Sequence, residues 1–158
     1  VYYRPLLFDT FIINYQMNGL DASIYHLTNI IFHAIAALIL YRFLKQYEVK
    51  KQLAFALTIL FVIHPVMLHS VVWVPGRNDI MLALFCLLSL YFQNRNLFNK
   101  RLSDLLFQLL FFIMALLTKE TAIVMPLVFI ANSYIRDSNR KRMLANFTFS
   151  FVIVLAWF

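Results

Sequence analysis

The sequence predicts an all-α, polytopic membrane protein with about six transmembrane helices and an N-terminal interfacial helix. Three observations carry that reading. Of the 158 residues, 63% are hydrophobic and 13% charged, with a mean hydropathy of +0.77, whereas a soluble domain carries about 25% charged residues. The apolar residues gather in six long stretches separated by short polar turns. Only two glycines serve the whole chain. The formal charge of +7 does not indicate a nucleic-acid partner, because the basic residues form short clusters between apolar runs rather than one amphipathic face. Cys86 stands alone within an apolar run, which excludes a disulfide framework and a cysteine metal site.

The elements follow in order. Pro5 can open a helix, and Thr10, Asn14 and Asn18 recur every fourth residue among Leu7, Phe8, Phe11, Ile12 and Tyr15. That pattern suits a helix in the interface plane, ended by Asn18-Gly19, so residues 1–20 form an extracytoplasmic interfacial segment. Asp21 or Ser23 caps the first span. The spans within 24–158 run from Ile24 to Leu44, Leu53 to Val72, Ile80 to Phe92, Leu105 to Leu117, Ala122 to Ile135 and Met143 to Phe158. A perpendicular crossing takes about 20 residues, so the shorter stretches place two non-cytoplasmic turns below the membrane surface. The start at Val1, without an initiator Met or basic leader, and the apolar end at Phe158 read as a fragment of a longer protein.

Orientation follows from charge. Arg42, Lys45, Lys50 and Lys51, then Arg95, Lys100 and Arg101, then Arg136, Arg140, Lys141 and Arg142 occupy alternate loops, and they are eleven of the fourteen Lys and Arg residues. Such an excess marks cytoplasmic loops. Arg4, the Trp73 to Asp79 turn with Arg77, and the Thr118 to Thr121 turn with Lys119 then face the other side. The sequon Asn146-Phe147-Thr148 falls at the cytoplasmic end of the last span, where it is a chance match.

Polar residues at membrane depth face the bundle interior or a wet cavity. His26, Asn29 and His33 share one face with Ala36 and Ala37, which serves either as a packing stripe or as part of a site. His64-Pro65 breaks the second span. His64 and His69 either satisfy carbonyls freed by Pro65 or point into a site, and without a nearby acid they make a weak case for zinc. Arg77 is either an anchor paired with Asp79 or a two-pronged phosphate binder. Lys119 and Glu120 either neutralise each other or face an anionic group, with Glu120 orienting Lys119 or holding a hydroxyl.

Five motifs occur in a fixed order: Tyr3-Arg4-Pro5-Leu6; His26-Leu27-Thr28-Asn29 with His33; His64-Pro65 with His69; Trp73-Val74-Pro75-Gly76-Arg77-Asn78-Asp79; and Thr118-Lys119-Glu120-Thr121-Ala122 with Pro126. Together they resemble the multi-spanning part of the transmembrane, tetratricopeptide-repeat-containing O-mannosyltransferases and their bacterial relatives, of the GT-C glycosyltransferase superfamily. The resemblance covers Tyr3 to Pro126.

It implies a partial GT-C-like bundle, an integral multi-pass protein of the endoplasmic reticulum or bacterial inner membrane with its active side extracytoplasmic. It also implies transfer of a sugar, mannose foremost, from a polyprenyl-phosphate-linked donor to a protein or glycan hydroxyl. The general base would come from an acidic loop after a first span upstream of Val1, Asp9 being a poor substitute, and the repeats would follow the C-terminus. Arg77 and Lys119 would converge on the donor phosphate, with Arg4, Asp79, Glu120, His26, His64 and His69 as further donor-site candidates. Apolar grooves would take the isoprenoid tail, and the site would need no metal or other cofactor. The rival classes are a secondary transporter, whose polar residues would centre on the midplane, and a non-catalytic structural subunit.

Overall fold

The computed structural model describes residues 3–136 and 140–157, the side chains of residues 140–143, 145 and 146 excepted. The basic loop expected from Arg136 to Arg142 therefore lies largely outside the described residues, as does the side chain of Asn146. Among the described residues the regular structure is entirely helical.

Helix α1 (Pro5–Asn18) starts on Pro5, whose missing N–H costs nothing at a first turn, and ends at Gly19 with φ 60°. Asp21 then caps α2 (Ala22–Gln46): its Oδ1 accepts from the Ser23 N–H at 2.9 Å and its Oδ2 from the Asn18 side chain at 2.8 Å. These bonds, the Ser23 backbone bond foremost, hold the Asp21 carboxyl below the ordinary value of 3.8. Helices α3 (Lys51–Ile63) and α4 (Pro65–Val72) are one apolar run broken at His64, which is extended, and bent by 50°. His64 Nδ1 accepts from the Val66 N–H at 3.3 Å and so caps α4.

A 3-10 turn (Val74–Gly76) leads into α5 (Arg77–Asn99). Gly76 is required there, because a Cβ would lie 2.7 Å from the Ser70 carbonyl oxygen and 2.8 Å from its Cα. Helix α6 (Leu102–Leu116), a second 3-10 turn (Glu120–Val124), α7 (Met125–Arg136) and α8 (Arg140–Trp157) complete the described chain.

Helix α5 is the axle, packed on α2, α6 and α7, with α3 on α2 and α8 on α7. The core joins Ala36 of α2, Met81, Leu84 and Phe85 of α5, Phe112, Ala115 and Leu116 of α6, and Phe129 of α7. Burial of Asn29, His33, Ala36 and Ala37 makes the α2 stripe a packing face.

The expected six crossings are met in part. Two helices are long and apolar enough to span a membrane, Ala22–Gln46 and Val74–Asn99, and the bent α3–α4 pair is a third if it counts as one span. Helix α6 has 15 residues, about 22 Å at about 1.5 Å each, against a hydrocarbon thickness of about 30 Å. Helix α7 is shorter still, with 12 residues.

The facing of α1 gives a second finding. Its polar residues Thr10 and Asn14 turn toward the bundle, whereas Phe8, Ile12, Ile13 and Met17 are exposed. Thr10 and Asn14 of the four-residue recurrence thus face inward, Asn18 is exposed beside Asp21, and the outward face is largely apolar.

Candidate functional site

The five motifs meet at one end of the bundle. Thr28 and Asn29, adjacent on α2, take separate partners: Thr28 Oγ1 accepts from Asn14 Nδ2 of α1 at 2.9 Å, and Asn29 Nδ2 donates to the Val71 carbonyl of α4 at 3.2 Å.

Arg77 is wholly buried, with 0% of its surface exposed. Its Nε donates to Asn29 Oδ1 at 2.7 Å, and its terminal nitrogens donate to Thr10 Oγ1 at 3.1 Å and the Tyr25 carbonyl at 2.9 Å. The ring of Phe11 lies 4.5 Å from the guanidinium carbon. Neither sequence reading of this residue describes it. It does not pair with Asp79, and every nitrogen of its fork already has a protein acceptor. A guanidinium so enclosed ties α1 and α2 to the start of α5 and presents no exposed surface. The physical reason is solvation: at this depth the charge needs fixed acceptors, and α1 and α2 provide them.

The other charges pair across elements rather than within their own turns. Lys119 Nζ bonds Asp79 Oδ1, bringing the Thr118 to Thr121 turn against the first turn of α5. Beside it, Arg4 grips Glu120 with two prongs, Nε to Oε2 at 3.1 Å and a terminal nitrogen to Oε1 at 2.6 Å. This hydrogen bonding holds the Glu120 carboxyl below its ordinary value of 4.5, aided by the charges of Arg4 and Lys119. Lys119 and Glu120 therefore do not neutralise each other; each reaches a different element. The Lys119 turn does meet the Arg77 turn, through Asp79 rather than through the guanidinium.

Asp79 also lines a cavity of about 490 Å³ with Pro65, Val66, His69, Ser70 and Trp73. The His69 and Trp73 rings lie 5.8 Å apart, forming an aromatic wall beside the carboxylate. His64 is exposed and engaged as the α4 cap, outside this lining. His26 is half-buried and makes no hydrogen bond with the described residues. A second, almost wholly apolar cavity of about 550 Å³ runs between α2 and α3, lined by Ile30, Ala34, Leu38, Phe55 and Ile59 with His33 at its wall. His33 Nε2 lies 3.2 Å from the Val62 carbonyl oxygen, and its ring stacks on Phe61. Among the described residues no three His, Cys, Asp or Glu side chains gather as metal ligands do.

One polar constellation escaped the sequence reading. At the opposite end of α5, Gln93 and Asn94 are fully buried and both accept from Asn132 Nδ2 of α7, at 2.6 and 2.9 Å. Gln93 Nε2 reaches the Phe129 carbonyl and Ser133 Oγ, Asn94 Nδ2 reaches Gln46 Oε1 of α2, and the Tyr47 hydroxyl donates to Asn132 Oδ1. The available signal was the pairing of adjacent polar residues, Gln93-Asn94 and Asn132-Ser133, inside apolar helices.

Comparison with known proteins gives the family of the chain. The family model described as dolichyl-phosphate-mannose-protein mannosyltransferase matches residues 13–158. The human protein O-mannosyl-transferase TMTC1 is 31% identical over 155 residues, covering 91% of this chain and 18% of its own length. Protein O-mannosyl-transferase Tmtc1 of Drosophila melanogaster is 29% identical over 121 residues, 77% of this chain and 14% of its own. A protein O-mannosyl-transferase of Caenorhabditis elegans is 35% identical over 97 residues, 60% of this chain and 14% of its own. The chain thus spans less than a fifth of the length of these relatives. No solved structure matches it significantly. With nearly the whole chain inside the family model, it belongs to the dolichyl-phosphate-mannose-protein mannosyltransferase family.

Proposed function

We propose that the protein containing this chain transfers a sugar, mannose foremost, from a polyprenyl-phosphate carrier to a protein or glycan hydroxyl on the extracytoplasmic side of the membrane. The observation that carries the reading is the Lys119–Asp79 pair at the rim of the His69–Trp73 cavity, in a chain of this family. The phosphate is the leaving group, and a cation beside it lowers the energy of the charge that grows as the glycosidic bond breaks. Lys119 fills that role in this reading. Arg77 acts beneath it as the strut that fixes the first turn of α5, and therefore Asp79.

His69 and Trp73 supply a hydrogen-bonding ring and an apolar face for a sugar, as carbohydrate sites need both. The apolar cavity between α2 and α3 has the lining an isoprenoid chain requires. Arg4 and Glu120 keep the Lys119 turn in place, while His64 stands by as the cap that sets the direction of α4. A general base for the acceptor hydroxyl comes from an acidic loop upstream of Val1. Such a base contributes about 10²–10⁴-fold, so the 158-residue chain by itself has negligible transfer activity.

The test is turnover of a polyprenyl-phosphate mannose by the full-length protein and its Lys119→Met and His69→Ala variants, each checked for membrane insertion. Loss of a few kcal/mol of transition-state stabilisation in Lys119→Met, a drop of about 10²-fold or more, is expected. Wild-type turnover in both variants would make the cluster a structural anchor and remove the basis for placing the site here.

A further inference from the structure

The charges around the His69–Trp73 cavity cancel. Arg4 is matched by Glu120 and Lys119 by Asp79, while Arg77 is enclosed by acceptors. Among the described residues every cation here already has a partner, so an anionic ligand has to compete with one of them. Three properties single out which. Arg77 is fully buried, and moving it would strand Asn29 Oδ1 without its donor and cut the ties to Thr10 and Tyr25. Arg4 holds Glu120 by two prongs and fastens the entry to α1. Lys119 makes a single-point contact from a flexible stem, and its partner Asp79 is 39% exposed on the cavity wall. A partly exposed lysine pair is worth little, and an ammonium re-aims its donors freely.

We propose that the donor phosphate is admitted by exchange of ion-pair partners: Lys119 leaves Asp79 for the phosphate, while the Arg4–Glu120 fork holds the turn. The inference rests on the polyprenyl-phosphate reading above and adds how that ligand enters. Asp79 is then a competitor of the phosphate, not one of its contacts. Once released, its carboxylate stays on the wall that His69 shares. The apo site is kept neutral, which limits the cost of holding charge at the membrane boundary and denies Lys119 to other anions that cannot also fill the adjoining apolar space.

The consequence has an unusual sign. Removing an acid from the site should tighten binding of a sugar-free polyprenyl phosphate to the full-length protein. Asp79→Asn should lower its Kd by about fivefold, the upper worth of such a pair, and Lys119→Met should raise it by about tenfold or more. In the double variant the benefit of Asp79→Asn should vanish, since no lysine remains to compete for. Weaker or unchanged binding in Asp79→Asn overturns the exchange while leaving the transferase reading intact. A full-length protein that binds no polyprenyl phosphate in any form removes the reading itself.

A measurement on the unaltered protein guards against misfolded variants. Carbodiimide labelling of Asp79, read by peptide mass spectrometry against Glu120 as internal reference, should rise severalfold on adding the polyprenyl phosphate. A fall in Asp79 labelling, or an equal rise at both carboxylates, overturns the exchange.

Discussion

Arg77 is a charged residue that the sequence shows but whose role it does not. A guanidinium at the mouth of a span reads equally as an anchor or as an anion receptor, because its acceptors, Thr10, Tyr25 and Asn29, lie 48 to 67 residues away along the chain. Asn29 was legible as part of a polar stripe, but not as the acceptor that fixes Arg77. Truncating Arg77→Ala should strand Asn29 Oδ1 at about 1–3 kcal/mol and release the ties to Thr10 and Tyr25, seen as a lowered Tm in detergent. Arg77→Lys should recover only part of the loss, since an ammonium cannot reach three acceptors in a plane. Glu120 gives a prediction in pH. Its carboxyl lies below 4.5 in the folded protein, so the Arg4 pair contributes fully above that value and is lost as the pH falls through the lowered one. The protection of α1 amides, corrected for the intrinsic pH dependence of exchange, should therefore be flat between about pH 5 and 8 and fall in stronger acid. Glu120→Gln should show the lowered protection at neutral pH, and pH-dependence near neutrality in the wild type would assign the control of α1 elsewhere.

At the scale of elements, breaks were easier to read than facings. The stop at His64-Pro65 follows from a missing donor and a restricted neighbour, both local properties, and it appears as the 50° bend. The α1 stripe was read correctly as a period and incompletely as a direction. Beside a membrane a polar stripe seeks the protein interior, and Thr10 and Asn14 do so. The α4–α5 junction rests on a close approach that no periodicity records. Gly76→Ala must push a Cβ away from the Ser70 backbone, where overpacking costs about 1–3 kcal/mol. The displaced α4 would also move His69 relative to Asp79. Transfer activity should then fall more steeply than thermal stability, whereas a purely local clash would lower both in proportion.

Across the whole molecule, α5 connects two polar junctions. Arg77 joins its start to α1 and α2, and Gln93 with Asn94 joins its far end to α2 and α7. The candidate site lies at the first junction, and the basic clusters of Lys45, Lys50, Lys51, Lys100 and Arg101 lie toward the second. That polarity was legible in the charge pattern, because sorting of lysine and arginine is a property of sequence alone. The number of crossings was less so, since α6 and α7 are apolar yet short. A topological test uses positions the fold leaves open. Thr118, an obvious choice from sequence, is fully buried and would stay silent; Leu20 and Thr121 are exposed at the site end, and Lys50 and Lys100 at the other. Single cysteines at these four positions in a Cys86→Ser background of the full-length protein should separate into two pairs with an impermeant thiol reagent. Leu20→Cys and Thr121→Cys should label from the extracytoplasmic side, and Lys50→Cys and Lys100→Cys only after the membrane is opened. Reversal of both pairs would turn the bundle over and place the Lys119–Asp79 cluster in the cytoplasm. Leu20 and Thr121 labelling from opposite sides would be more damaging, because the Arg4–Glu120 fork requires the two turns to share one face of the membrane.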